Sequence, residues 1–184
     1  MRPYRPFVFV AALIATVYLV GWFSFVDRGL LDARTHLWSR PASGDLVLVV
    51  IDPASLQALR SWPWPWPRRY HAAVLKRLFD AGARRVAFDF DFSSAQTPED
   101  DRALADAVAI AGPVRVALAD HRQGVRNQNF DTTPLPSFDL SASRTSINVQ
   151  PDPEGRVRTI QTVSAFADRT VPTMSAWLAG APPK

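Results

Sequence analysis

Carboxylates follow two predicted strands of this sequence, near the points where each strand ends. Asp52 ends the apolar run LVLVVI at residues 46–51, and Asp89 and Asp91 come late in the run RVAFDFDF at residues 85–92. Because the carboxyl ends of parallel strands meet at one edge of a sheet, we expect the three carboxylates to lie close together. Carboxylates at such an edge could orient a polar ligand or hold a hard cation such as Mg²⁺.

A second group of candidate residues lies between these two strands. Arg68 and His71 fall in the first turn of a predicted helix, directly after a WPWPWP segment at residues 62–67. Prolines at every second position exclude regular helix and central strand, so this segment should be a rigid, extended chain that presents three indoles. We expect at least one of Trp62 and Trp64 to be buried in a structural role and Trp66 to be exposed. If the segment is instead a preformed platform, Trp64 would stack on a ligand.

The predicted ligand-binding group at the carboxyl edge of the sheet consists of Asp52, Trp64, Arg68, His71, Asp89 and Asp91. Each member also has a structural role open to it. Asp52 could cap a helix, His71 could pack in the interior, and either later aspartate could pair with Arg68 or Arg84. Taken singly, the structural roles are the stronger interpretation, and only the grouping of the residues suggests a ligand.

The patterns that usually indicate catalysis or metal binding do not occur in the sequence. It contains no cysteine, and its three histidines are far apart without the spacing of metal ligands. We find no nucleophile elbow, no phosphate-binding glycine loop and no HExxH motif. We therefore predict no catalytic residues, no metal and no cofactor. The alternative left open is a membrane-tethered, metal-dependent hydrolase that uses Asp52, Asp89 and Asp91.

The elements that must place this group alternate between strand and helix. The predicted strands are 46–51, 85–92 and 114–119, then a C-terminal antiparallel hairpin of 146–150 and 156–166; the predicted helices are 54–60, 68–81, 98–111 and 172–178. Because residues 46–51 show no polar alternation, they should form a central strand buried on both faces. Residues 120–144 are polar and predict a long loop. The fold class is therefore α/β, a three-layer domain with parallel central strands.

Composition and charge restrict the class of protein further. The chain has 184 residues, of which 47% are hydrophobic, and this content excludes wholesale disorder. Its net charge is +4, and 19 of the 21 basic residues are arginines. These arginines are spread along the chain without a dense basic run, so we do not expect nucleic acid as a partner.

Residues 7–26 form a run of twenty residues without a charge. As one helix this run would be about 30 Å long, the thickness of the hydrocarbon core of a bilayer. Aromatic residues lie near its far end, as in the aromatic belt of membrane proteins. We predict a transmembrane helix here, after a tail of residues 1–6, rather than a signal peptide or a buried core helix. The positive charges on the two sides do not decide its orientation.

The remaining boundaries follow from periodicity and breaks. Leucines at helical spacing predict a juxtamembrane helix and connector at residues 27–44. The α/β domain would then cover residues 45–178, followed by a tail of residues 179–184. We find no internal repeat.

Five stretches, in this order, resemble the CHASE type-two sensor domain: IDPASL at 51–56, WPWPWPRRYHAAVL at 62–75, AGARRVAFDFDFS at 81–93, INVQPDPEGRVRTI at 147–160 and VPTMSAW at 171–177. The resemblance covers about residues 27–178. The sequence departs from the family pattern in its extra tryptophan-proline repeat and in residues 120–144, where the family tends towards a helix.

The resemblance implies an extracytoplasmic input domain of a bacterial receptor in the inner membrane, with the tail of residues 1–6 in the cytoplasm and residues 27–184 in the periplasm or outside the cell. It implies as partners the membrane, a small-molecule or environmental signal, and a second copy of the chain in a homodimer. Such receptors usually carry further membrane helices and a cytoplasmic cyclase, cyclic-dinucleotide enzyme or kinase. The sequence ends at Lys184 before any such module, so we expect a receptor fragment, a truncated reading frame or a separate input subunit.

Overall fold

The computed structural model describes the chain except for a few short segments. The described residues are 5–19, 22–39, 41, 43–59, 64–125, 128–138, 141–166 and 168–180. The chain forms two compact units, Met1–Val49 and Val50–Lys184. Trp62 lies outside the described residues.

The first unit contains two helices, α1 (Arg5–Leu19) and α2 (Trp22–Leu37). With 15 residues, α1 is about 22 Å long, which is less than the roughly 30 Å of a bilayer core. Within the ranges given above, the structure has no helix with both the length and the apolar character needed to cross a bilayer. The prediction of one transmembrane helix over residues 7–26 is therefore corrected, because this run is divided between α1 and the more polar α2.

The second unit is built on a sheet whose central strand is β2 (Val116–Val125). Two strands lie parallel to β2 on its opposite sides, β1 (Val86–Phe88) and β4 (Ser143–Ser146). The predicted α/β class with parallel central strands is confirmed by this arrangement.

Antiparallel pairing occurs in two further places. The second half of β2 pairs with β3 (Gln128–Thr132), and near the C-terminus β5 (Val163–Ala165) pairs with β6 (Thr170–Pro172). A C-terminal antiparallel hairpin is thus present, but it is β5–β6 and not the predicted pair of 146–150 with 156–166. The residues between β4 and β5 instead form a turn that Asp152 closes, its carboxylate accepting hydrogen bonds from the amides of Glu154 and Arg156.

Residues 120–125 and 128–132 of the polar segment form a strand pair, so the predicted loop over 120–144 is wrong for this part of the chain. β2 continues from Asp120 to Val125 and returns as β3, with Arg122 opposite Asp131 in the register. The guanidinium of Arg122 pairs with the carboxylate of Asp131 at 2.8 Å. Opposite charges placed across an antiparallel ladder stabilise it, so these strands need little apolar content.

The second unit contains four α-helices among its described residues. They are α3 (Pro53–Ala58), α4 (Arg68–Asp80), α5 (Pro98–Ala111) and α6 (Met174–Leu178), with a short 3-10 helix at Pro136–Phe138. Of these, α3, α5 and α6 begin after a capping side chain. Asp52 caps α3 by accepting a hydrogen bond from the Ser55 amide at 2.8 Å. Thr97 caps α5 in the same way through the Asp100 amide at 3.2 Å. Proline follows each of these two caps. It is tolerated there because the first helical position has no hydrogen-bond partner within the helix for an amide hydrogen.

The core lies where α4 and α5 pack against each other and against the parallel strands. Its largest fully buried side chains are Leu75, Leu104, Val108, Val116, Leu118 and Phe138. Leu75 comes from α4, and Leu104 and Val108 come from α5, at the helical spacing expected of a buried stripe.

The apolar run at residues 46–51 is not the buried central strand that the sequence predicts. Its residues have no regular structure, and Leu46 to Val50 are exposed. No partner strand for this run exists among the residues that the structure describes. Apolar composition indicates that a segment tends to be buried. A strand also needs a neighbouring strand with which its backbone forms hydrogen bonds. Asp52 therefore follows irregular chain and not the end of a strand.

Candidate functional site

Three parallel strands end at the same edge of the sheet, which we call the carboxyl edge. It comprises residues 89–93 after β1, residues 120–122 where β2 passes its parallel neighbours, and residues 146–148 at the end of β4. Ligands of open parallel sheets bind at this edge, because loops and side chains from several strands converge there.

Arg68 is buried in a structural position beside the carboxyl edge. Its Nη1 donates a hydrogen bond to Asp101 Oδ1 at 2.6 Å, and its Nη2 donates to the carbonyl of Ser94. The guanidinium also lies 5.4 Å from the centroid of the Phe92 ring. Arg68 thus joins the start of α4 to the segment after β1 and to the first turn of α5.

His71 is buried among three phenylalanines that we call the phenylalanine cage. The ring centroids of Phe90, Phe92 and Phe88 lie 5.1, 5.7 and 6.4 Å from the imidazole centroid. These phenylalanines occupy alternate positions, so their side chains share one face of the chain that runs from β1 through the residues after it. Among the described residues, neither imidazole nitrogen has a hydrogen-bond partner.

The surroundings of His71 favour its neutral form. Burial lowers the pKa of the His71 imidazole below its ordinary value, and the positive charge of Arg68 lowers it further. The carbonyl of Pro67, one turn earlier, acts to raise the pKa of His71. It does not form a hydrogen bond with either imidazole nitrogen. The net effect is a neutral histidine at neutral pH.

Two indoles of the tryptophan-proline segment have opposite exposures. Trp64 is 51% exposed, whereas Trp66 is 7% exposed, so the predicted exposure of Trp66 is wrong. Trp66 directly precedes Pro67, the N-cap of α4, and apolar side chains at that position commonly pack against the helix. The Trp64 ring lies 5.9 Å from Trp66 and 6.0 Å from Phe90, between centroids.

The three candidate carboxylates differ in their surroundings. Asp52 is exposed, and the Ser55 hydroxyl and amide lower its pKa by donating hydrogen bonds to it. Asp89 is exposed. Partial burial raises the pKa of Asp91, but the hydrogen bonds from Ser93 and the charges of His121 and Arg68 bring it below its ordinary value overall.

The structure brings part of the predicted group together at the carboxyl edge. The members that lie around the segment after β1 are Trp64, Arg68, His71 and Asp91. Within the described ranges, no hydrogen bond, ion pair or ring contact joins Asp52 or Asp89 to them. In the same ranges, no three histidine or carboxylate side chains are placed to hold a metal ion.

The sequence interpretation missed a second group of charged residues at the same edge. This arginine cluster consists of Arg122, Arg144 and Arg169 with Asp120 and Asp131. Asp120 and Arg122 are two residues apart in β2 and therefore face the same side of the sheet. That alternation was the available signal, but the interpretation of residues 120–144 as a loop concealed it.

Asp120 is the centre of the arginine cluster and has no solvent exposure. Its Oδ1 accepts hydrogen bonds from Nε of Arg144, at 3.1 Å, and from Nη2 of the same residue. Its Oδ2 lies 3.5 Å from Nε of Arg169. Because Arg144 belongs to β4 and Arg169 to the β5–β6 turn, one carboxylate links three parts of the domain.

Arg122 lies beside this centre and is firmly held. Its Nε and Nη2 donate to the two carboxylate oxygens of Asp131 at 2.8 and 3.1 Å, and Nη2 also donates to the Ala165 carbonyl at 2.8 Å. The guanidinium carbon lies 5.1 Å from the centroid of the Phe166 ring. The β5–β6 hairpin is therefore fastened to β2 and β3 by Arg122 as well as by Arg169.

Comparison with known proteins gives one match. A family model described as CHASE2 domain matches residues 8–181. No curated protein and no solved structure matches the chain. The matched range includes the phenylalanine cage and the arginine cluster.

The two indoles should contribute unequally to stability. Trp66→Ala should lower the free energy of unfolding by roughly 3 to 5 kcal/mol, because it removes a buried aromatic side chain. Trp64→Ala, the matched control, should lower it by about 1 kcal/mol, the contribution of a ring contact at a half-exposed site. Urea denaturation of the two variants measures the difference. Equal losses would show that Trp66 is not the buried anchor of this segment.

Stability should depend on pH through His71. Because its pKa is lower in the folded chain than in the unfolded chain, the unfolded state binds a proton more readily. Stability should be complete above about pH 6.5, the ordinary pKa of histidine, and should fall as the pH drops below it.

His71→Phe keeps an aromatic ring in the cage and should remove this part of the pH dependence. His36→Phe changes an exposed histidine on α2 and should keep the parent profile. Urea denaturation at several pH values between about 8 and about 5 compares the three proteins. A His71→Phe profile with the same slope as the parent would contradict the neutral, buried state of His71.

Proposed function

The chain belongs to the CHASE2 family, whose members are extracellular sensory domains, and from this premise we propose that it is the extracytoplasmic input domain of a bacterial membrane receptor. The observation that carries the proposal is the family match over residues 8–181, which takes in both structural units. In this proposal the domain passes a ligand or environmental signal to a cytoplasmic output module, a cyclase, a cyclic-dinucleotide enzyme or a kinase.

The carboxyl edge supports a sensory role because its side chains join separate elements. Arg68 links α4 to α5, and Asp120 links β2 and β4 to the C-terminal hairpin. A ligand shifts a two-state equilibrium only if it binds one state more tightly than the other. A ligand that contacts these linking residues would meet that condition, since its contacts would change with the packing of the elements.

We propose that the domain binds its signal and performs no catalytic step of its own. Both groups at the carboxyl edge are engaged in aromatic packing and ion pairs that hold the fold. A phosphodiester hydrolysed by the purified chain with Mg²⁺, with activity lost in Asp89→Asn/Asp91→Asn, would favour the hydrolase instead.

The proposed partners are the inner membrane and a second copy of the chain. Support for a homodimer comes from α2, where Val26, Leu30 and Leu37 are exposed at helical spacing. An exposed apolar stripe on a helix is commonly buried by a partner helix. A pair of such helices would also provide a route for the signal towards the membrane.

The proposed location predicts the behaviour of reporter fusions. Alkaline phosphatase, which is active only outside the cytoplasm, should be active when fused after Lys184, and β-galactosidase at the same position should be inactive. Active β-galactosidase on the full chain would contradict the extracytoplasmic location, whatever the ligand is.

A further inference from the structure

We propose that the edge of the sheet opposite the carboxyl edge, which we call the amino edge, lies on the surface of a bilayer that contains anionic lipid. The amino edge comprises residues 81–85 before β1, residues 112–115 before β2 and residues 141–142 before β4, with the C-terminal ends of α4 and α5. All of it belongs to the second unit. The proposal rests on the proposed membrane partnership and deepens it, because it names the face that contacts the membrane.

The connection between α5 and β2 carries exposed apolar side chains. Among the described residues, no large apolar side chain is more exposed than that of Ile110, at 88%. Val114 is 70% exposed, and Pro113 is exposed beside it. Single exposed apolar residues are ordinary, but three within five residues indicate a contact with a partner or with lipid.

The charge of the amino edge favours anionic lipid over a second copy of the same face. The described residues 76–86, 106–116, 141–142 and 174–180 form this edge and the helix ends that reach it. They contain five basic residues and two acidic residues, which leaves a surplus of three positive charges: Lys76, Arg77, Arg84, Arg85 and Arg115, with Asp80 and Asp106. Two such faces would repel each other, whereas apolar side chains flanked by basic ones bind the interface of an anionic membrane.

The arginines of this edge are placed to bind lipid phosphates. The guanidinium carbon of Arg115 lies 4.0 Å from the centroid of the Phe79 ring. Stacking of this kind uses the flat face of the guanidinium and leaves its N–H donors, which lie in the plane, for phosphate oxygens. Arg84 is exposed in the connection that leads into β1.

A cavity of about 270 Å³ opens on the amino edge beside Arg85. Pro113, Val114 and Trp177 form part of its lining. Arg85 Nη1 donates to the Trp177 carbonyl at 2.8 Å, and the Arg85 guanidinium carbon lies 5.4 Å from the centroid of the indole ring. The cavity therefore has a cationic side and an apolar side, which match the phosphate and the first methylene groups of a phospholipid. Tryptophan is also enriched where proteins meet the membrane interface.

Fluorescent probes on single cysteines test the proposal, since the chain contains no cysteine of its own. Val114→Cys and the control Ala95→Cys are each labelled with an environment-sensitive fluorophore. Ala95 is exposed and precedes α5, which is about 21 Å long, so the control probe is far from the amino edge. The full chain is reconstituted into vesicles of equal amounts of phosphatidylcholine and phosphatidylglycerol, with a nitroxide-labelled lipid as quencher. The Val114 probe should be quenched and the Ala95 probe should not, and quenching should fall as the salt concentration rises.

Substitutions at exposed positions then separate the two contributions, at a salt concentration where quenching of the Val114 probe is partial. Arg84→Gln should lower the ratio of quenched to unquenched probe by about fivefold, the contribution of one arginine near an anionic surface. Ile110→Ser should lower the ratio by about tenfold, because it removes an apolar side chain from the interface. The matched controls Arg102→Gln and Val149→Ser change exposed residues away from the amino edge and should keep the parent ratio.

Three outcomes would overturn the proposal. The first is a Val114 probe that is not quenched in vesicles that hold the protein, and the second is equal quenching in vesicles of phosphatidylcholine alone. The third is a Val114 probe that becomes buried without being quenched, which would indicate a protein partner at this face. The quenching reports which face contacts lipid, whereas the reporter fusions report the side of the membrane, so either proposal can fail while the other holds.

Discussion

The carboxyl edge of this domain depends on the buried carboxylate of Asp120. A lone charge without solvent exposure would cost several kcal/mol, so its position requires compensating charges nearby. Arg144 supplies two hydrogen bonds from the parallel neighbour β4, and Arg169 supplies a longer contact from the C-terminal hairpin. The arrangement fixes where three chain segments meet, and it leaves one of its two arginines only loosely engaged.

A second buried ion pair, between Arg68 and Asp101, also fixes where chain segments meet at the carboxyl edge. Arg68 holds the start of α4 to α5 and to the chain after β1, and this position brings His71 into the phenylalanine cage. The residues with functional chemistry are therefore also the residues that join elements. In a sensory domain this combination is useful, because a ligand that alters one contact alters the packing of several elements.

Local signals in the sequence were sufficient for the helices of the second unit and for the class of fold, but not for the helices of the first unit. Capping by Asp52 and Thr97, followed by proline, placed the starts of α3 and α5, whereas the packing of three phenylalanines around His71 was not predicted. Features that depend on distant partners were predicted wrongly. The run 46–51 has apolar character without a pairing strand, and β2 extends through Arg122 because Asp131 pairs with it. The arginine cluster could be predicted only in part: the alternation of Asp120 and Arg122 is visible in the sequence, whereas Arg144 and Arg169 reach Asp120 only through the tertiary fold.

The most direct test of this account is a double-mutant cycle of Asp120→Asn and Arg144→Gln, followed by urea denaturation of the full chain. Each single change should lower the free energy of unfolding by roughly 3 to 5 kcal/mol, because each removes one side of a buried ion pair. The double change should cost less than the sum by about 1 kcal/mol or more, since the two charges are removed together. Losses that add within about 0.5 kcal/mol would contradict the claim that this ion pair holds the carboxyl edge together.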